Sequence, residues 1–288
     1  MLVSAVADPV LTWNLHDDVG YMLMFPFMVN AFRAGVIVAV TAGLIGWFMV
    51  LRGQAFAGHT LAVVGFPGAA GATLLGISAT SGLLFFTLVA ALLIALVPRA
   101  RADSQESAVI GTIQAFALAS GFLFVHLYGG FLDSANSILF GSFLGVTAGQ
   151  VVLLGAVSLV VLGVLGGIAR PLLFASVDPD VAAVRGVPVR ALSAVFLVLL
   201  GAAAAEASQI TGTLLVFALL VAPAAAAQAL SPRPTVAALL SVLIACLITC
   251  GSLTVAFYSA NLPVGFLLTS AAFGCWLLAR AWRHVVAQ

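Results

Sequence analysis

The sequence predicts an all-α integral membrane protein, a polytopic bundle of about nine transmembrane helices. Three observations carry that reading. Of 288 residues, 64% are hydrophobic and 7% charged, with a mean hydropathy of +1.26. So few charges cannot cover the apolar surface of a water-soluble domain. Apolar windows of spanning length recur along the whole chain. When those windows alternate in direction, the basic residues gather on one side of them.

In chain order, MLVSAVADPV lacks a basic flank and a sufficient apolar core, so the sequence predicts no cleaved signal peptide. Spans are predicted at roughly 28–50, 59–77, 82–98, 108–127, 149–168, 191–208, 212–230, 236–257 and 263–280. The count becomes eight if the first or sixth element is partial. The stretch SQITGT inside 191–230 reads either as an outer hairpin or as a break in one bent element. Placing Arg52 in the cytoplasm also places Arg99, Arg101, Arg170, Arg185, Arg190, Arg233, Arg280 and Arg283 there, nine of the ten basic side chains. Arg33 falls near the outer end of the first span, where it can snorkel. The N-terminus and the acidic HDD (His16 to Asp18) then face outward with the loop GGFLDSAN, and the C-terminus faces the cytoplasm. His126 and Tyr128 mark the outer interface.

The whole chain, 1–288, reads as a single transmembrane domain with a cytoplasmic segment across 170–190. Within that segment Asp178 caps a short helix whose first turn holds Pro179 and Asp180; Arg185 lies at its end, and Gly186 followed by Pro188 terminates it. An interfacial helix on lipid headgroups and a docking element for a cytoplasmic partner both fit this pattern. Inside the membrane, Gly65, Gly68 and Gly71 recur every three residues and leave a helix face almost without bulk, suited to close backbone approach. Pro67 removes a donor in the same helix, and APAAAAQA gives a similar small face around Pro223.

Composition excludes several function classes. A net charge of +1 gives no electrostatic case for nucleic acid. The basic side chains are all arginine, so there is neither a P-loop lysine nor an amine for a Schiff base. Cys246, Cys250 and Cys275 lie in apolar runs and read as small buried hydrophobes, although Cys246 and Cys250 share a helix face at i, i+4, where soft-metal ligation is conceivable. The spans hold no paired aspartates, HExxH or serine–histidine constellation, which argues against an intramembrane enzyme.

The polar residues within or at the ends of spans are His59, Gln114, Glu206, Gln209 and Gln228. Glu106 precedes the fourth span and reads as an N-terminal helix charge. An ionisable group at membrane depth is costly unless paired, so each is a functional candidate. His59 and Glu206 offer imidazole and carboxylate, ligand types suited to divalent zinc, manganese or iron, and Gln209 adds an amide beside them. The structural alternatives are a helix-end His59 bonded to backbone or water and a Glu206 that snorkels at the outer turn.

Six stretches taken together carry a resemblance. They are LRGQAFAGHTLAVVGFPGAAGATLLG, ESAVIGTIQAFALASG, ILFGSFLGVT, LLFASVDPDVAAVRGVPVR, TGTLLVFALLVAPAAAAQAL and FYSANLPVGFLLT. In this order they resemble the membrane-spanning subunits of bacterial ABC importers for zinc, manganese and iron, over about 230 residues. The resemblance implies a type II ABC importer-like homodimeric permease in the bacterial cell membrane. Its partners would be a cytoplasmic ATP-binding subunit and an extracytoplasmic metal-binding protein. No cofactor would be resident; the divalent metal is cargo. Residues 176–188 would be the docking helix. Many members of the family begin the second span with Gly-Asp and place a histidine four residues later, whereas here those positions are His59 and Val63. A subset shares Gly-His and a glutamate like Glu206 before the TGTLL run. Nitrogen ligation leans towards zinc over manganese. Two further readings stand beside this one: an ABC permease for a metal chelate such as haem or a siderophore, and an ion-coupled secondary carrier.

Overall fold

The computed structural model describes residues 15–96, 103–127, 141, 145–213, 215–259 and 262–286. Among them the regular structure is helical: α1 (Leu15–Leu23), α2 (Pro26–Leu51), α3 (Ala55–Leu74), α4 (Ala79–Leu96), α5 (Asp103–Leu127), α6 (Ala148–Val177), α7 (Pro179–Val184), α8 (Val189–Thr211), α9 (Val216–Leu230), α10 (Pro234–Tyr258) and α11 (Val264–Val286). Each predicted span falls on one of these helices. Seven of them, α2, α4, α5, α6, α8, α10 and α11, are long and apolar enough to cross a membrane by length and composition.

The two predicted spans outside that group, on α3 and α9, differ for a physical reason. Helix α3 has the length, but glycines, Pro67 and His59 dilute its apolarity. It can afford this because 15 of its 20 residues are buried inside the protein. Helix α9 has 15 residues, about 22 Å at 1.5 Å per residue, against a hydrocarbon core of about 30 Å. Irregular backbone precedes it. Helix α8 ends at Gly212, which takes φ +79°, and Thr211, Gly212 and Thr213 are all buried. Non-helical chain at depth is tolerated where protein covers it. SQITGT is therefore a break between two helices.

Helix α6 continues through Arg170 and Pro171 to Val177, so the first part of the predicted segment 170–190 is helical. Leu165, Leu172 and Ala175 keep one buried stripe running past the proline, so packing holds the helix together despite the lost donor. Glu106 lies in the first turns of α5, as its position before the fourth apolar window suggests, and His126 is exposed in the last turn. Tyr128 and the loop GGFLDSAN lie outside the described residues.

Helix α2 is the hub, packed against α6, α8, α9 and α10. Its glycines allow this. A Cβ at Gly43 would lie 2.7 Å from Val242 Cα, and one at Gly46 only 2.0 Å from the Leu220 carbonyl oxygen. Side chains from the neighbours bond α2's backbone at the same seam: Ser241 Oγ donates to Gly43 O at 2.7 Å, and Gln228 Nε2 to Trp47 O at 3.1 Å. A second seam joins α3 to α4 and α5. Cβ atoms at Gly68 and Gly82 would each strike the other's carbonyl oxygen, at 2.5 and 2.2 Å. At Gly65 the nearest neighbour would be Leu83, and at Gly71 the Phe124 ring, each at 3.2 Å. Helix α8 bridges the two groups, touching α2, α3, α4 and α6.

Gly46→Ala should lower the unfolding midpoint of the detergent-purified protein, with overpacking costing about 1–3 kcal/mol or more. Gly163→Ala, where a Cβ would meet nothing within 4 Å, should leave it unchanged. Fluorescence-detected thermal unfolding of both variants checks this; equal midpoints would refute the seam.

Candidate translocation path and docking segment

Glu206 occupies the interior of the bundle. Its side chain is 0% exposed, so it does not snorkel. Helix α8 presents it to α6, where Ser158 Oγ donates to Oε1. Ser158 Oγ in turn lies 2.8 Å from Thr41 Oγ1 on α2. Thr41 Oγ1 also donates to the Ile37 carbonyl oxygen at 3.2 Å, so its single proton is shared between that carbonyl and Ser158 Oγ. Both hydroxyl residues are buried. A relay of three oxygens therefore links α2, α6 and α8 and terminates on a carboxylate. The other oxygen, Oε2, is buried and has no partner among the protein groups. A buried carboxylate in that condition needs a proton or a cation.

His59 lies on the first turns of α3 and is half-buried. Its ring meets Phe217 of α9 edge-on, with centroids 5.1 Å apart, and its Nδ1 is buried without a partner. Neither backbone nor side chain fixes that nitrogen. Phe217 also lines an apolar groove of about 230 Å³ between α9 and α11, with Val221, Ala222, Ala225 and Trp276. Pro223 is buried on the same short helix.

Gln209 follows Glu206 by three residues and opens on a different space. With Ser208, Gln150, Thr80 and Val146 it lines a cavity of about 280 Å³. Neither amide atom of Gln209 has a partner, although both are buried. The other two membrane amides are engaged: Gln114 Oε1 accepts from Thr60 Oγ1 at 2.9 Å, and Gln228 bonds α2. Of the three amides, Gln209 is the one whose two polar atoms are both buried and unbonded.

These groups do not form one cluster: Glu206 bonds Ser158 on α6, His59 meets Phe217 on α9, and Gln209 opens on the cavity it shares with Gln150. Among the described residues no three His, Cys, Asp or Glu side chains stand close enough to hold a metal ion together. Cys246, Cys250 and Cys275 are free thiols. No local pattern in the chain marks Ser158 or Thr41. Either is an ordinary small residue in an apolar run, and only their meeting with the carboxylate marks them.

The short helix α7, the candidate docking segment, is built as its residues dictate. Asp178 Oδ1 accepts from Val181 N at 3.0 Å, Pro179 fills the first helical position, and Asp180 stands in the first turn. At the other end Arg185 is the C-cap and Gly186 takes φ +81°. Val187 N then bonds Ala182 O and Gly186 N bonds Ala183 O, both at 3.0 Å, closing a Schellman turn. Ala182 alone is buried; Val181 and Val184 are exposed on the outer surface of α7.

The sequence profile of the ABC 3 transport family matches residues 24–282. The chain belongs to that family. It is similar to the manganese import system permease protein ScaB of Streptococcus parasanguinis, 32% identical over 251 residues, covering 86% of this chain and 89% of ScaB. It is also similar to the chelated iron transport system membrane protein YfeC of Yersinia pestis, 32% identical over 73% of this chain and 70% of YfeC. Among solved structures, PsaBC from Streptococcus pneumoniae in complex with Fab superposes with a TM-score of 0.81 at 25% identity, covering 92% of this chain and 94% of that one. An inward-facing ABC transporter of metal-chelate type gives a TM-score of 0.71 at 18% identity over 95% and 93% of the two chains, a likeness of fold alone.

Ser158→Ala removes the donor to Glu206 and the partner of Thr41 together. It should destabilise the protein by about 1–3 kcal/mol, more than Thr41→Val. Thermal unfolding of the two variants compares them; a larger loss for Thr41→Val would contradict Ser158 as the group that joins Thr41 to Glu206.

Proposed function

We propose that this chain is the transmembrane subunit of an ATP-driven ABC importer for a divalent transition metal, with manganese the first candidate. Family membership makes it a transport permease subunit of a multi-pass membrane protein class, and the relatives named for manganese import span most of its length. The observation that carries the site is Glu206: a buried carboxylate with one oxygen held by Ser158 and the other left for a cation. His59 and Gln209, each with unpartnered polar atoms, stand at different depths along α3 and α8. A cargo ion needs such a ladder of weak ligands, because a closed four-ligand site would trap it. The ion is passed between partial sites rather than held in one.

The remaining parts follow the same reading. All nine predicted spans cross the membrane, with α3 and α9 as interior helices, an outward N-terminus and a cytoplasmic C-terminus. The segment around α7 docks a separate ATP-binding subunit, through Asp178, Pro179, Asp180, Arg185 and Gly186. A second copy of the chain completes the path, and an extracytoplasmic binding protein delivers the metal. ATP-driven closure pushes on α7 and rocks the helices between outward-open and inward-open states. A chelate permease is the competing assignment, since YfeC is named for chelated iron. The glycine seams of α2 and α3 leave less room for so large a cargo.

Total-metal analysis of cells lacking this gene, grown in metal-depleted medium, tests the cargo. A selective manganese deficit, restored by the intact gene and not by His59→Ala or Glu206→Ala, is expected. Both variants should still assemble with the ATPase. Unchanged manganese, zinc and iron would shift the assignment to a chelate, with haem and siderophore uptake assayed next. Asp178→Ala and Gly186→Val should reduce ATPase co-purification or uncouple hydrolysis from uptake. Normal behaviour in both would remove α7 from the docking role.

A further inference from the structure

Arg52 closes the C-terminal end of α2, and its guanidinium reaches three other helix ends. Nη1 donates to Ser176 Oγ at 2.9 Å, one residue before the end of α6. Nη2 donates to Ser193 Oγ at 2.6 Å, in the first turns of α8. Nε donates to Gln54 Oε1 at 3.3 Å, and Gln54 is the residue that caps the start of α3. The guanidinium carbon also stands 5.4 Å from the centre of the Phe196 ring, which is itself fully buried. Ser176 and Ser193 are the two flanks of the docking segment. A planar cation with five N–H donors in a fixed fork can hold three acceptors at once, which a lysine ammonium on a flexible stem does with less geometric control.

Helix α7 has little grip of its own on the bundle. Only Ala182 is buried, and the rest of its six residues are exposed or cap the turn. A push on α7 therefore reaches the membrane through the roots of α6 and α8. We infer that Arg52 is the positioning residue that transmits displacement of the docking segment to α3, and so to His59. It locks the two roots to the α2–α3 turn, and His59 lies five residues beyond Gln54. The inference rests on the reading of α7 as the ATPase docking segment.

The test uses the full permease co-expressed with its ATP-binding subunit, reconstituted in proteoliposomes and supplied with the metal-binding protein, with manganese uptake and ATP hydrolysis measured on the same sample. Arg52→Gln should retain the ATPase and hydrolyse ATP near the wild-type rate, while uptake per ATP falls at least about tenfold. Arg52→Lys should recover part of that ratio. Ser176→Ala with Ser193→Ala, which leaves the arginine in place, should lower it by about threefold. A wild-type ratio in Arg52→Gln and in the double serine variant would overturn the inference. So would loss of ATPase co-purification in step with thermal stability, which marks a merely structural brace. A wild-type complex that neither binds the ATPase nor moves metal would overturn the docking reading first and this inference with it.

Discussion

Lipid offers helices no hydrophobic reward for leaving it, so this bundle is held by how closely its backbones approach. Gly43 and Gly46 let α2 lie directly on α10 and α9, and the bulk they omit is what makes α2 the centre of the molecule. Once backbones touch, neighbouring side chains bond exposed carbonyls, as Ser241 and Gln228 do on α2. The Gly68–Gly82 contact repeats the arrangement between α3 and α4. The apolar majority of the sequence makes insertion favourable. The glycines determine which helices become neighbours.

Against that background the unbonded polar atoms stand out. Thr60, Gln114, Gln228 and Ser241 are each bonded across a helix interface. His59, Glu206 and Gln209 retain unpartnered atoms in the interior. Trp47, Thr87, Thr213, Thr249 and Ser252 do so too, and among these buried unpartnered groups His59 and Glu206 are the ionisable ones, on α3 and α8. The buried break at Thr211 to Thr213 follows directly, and interrupted helices beside such ligands are a recurrent feature of transport sites.

Much of this was legible in the residues. Length and apolarity located the seven described helices that are long and apolar enough to cross a membrane, because a bilayer imposes one dimension on all of them. Asp178, Pro179 and Gly186 marked the short helix because caps and positive-φ turns are local chemistry. The end of α6 was not legible: Pro171 and Arg170 signal a stop, and only the buried stripe through Leu172 and Ala175 overrides it. The partners of Glu206 were equally hidden. Ser158 and Thr41 lie 48 and 117 positions apart from the groups they bond, and no local pattern ties hydroxyls so distant to one carboxylate.

The α3–α4 seam has a mechanical consequence. With each glycine's carbonyl occupying the space the other's side chain would need, neither helix can slide or rotate past its neighbour without a backbone collision. The pair therefore moves as one beam. The contact of α3 with α9 is of another kind, a histidine edge against a phenylalanine face, where rings can tilt and part at little cost. Separation of α3 from α9 therefore meets less steric resistance than any shift of α3 against α4.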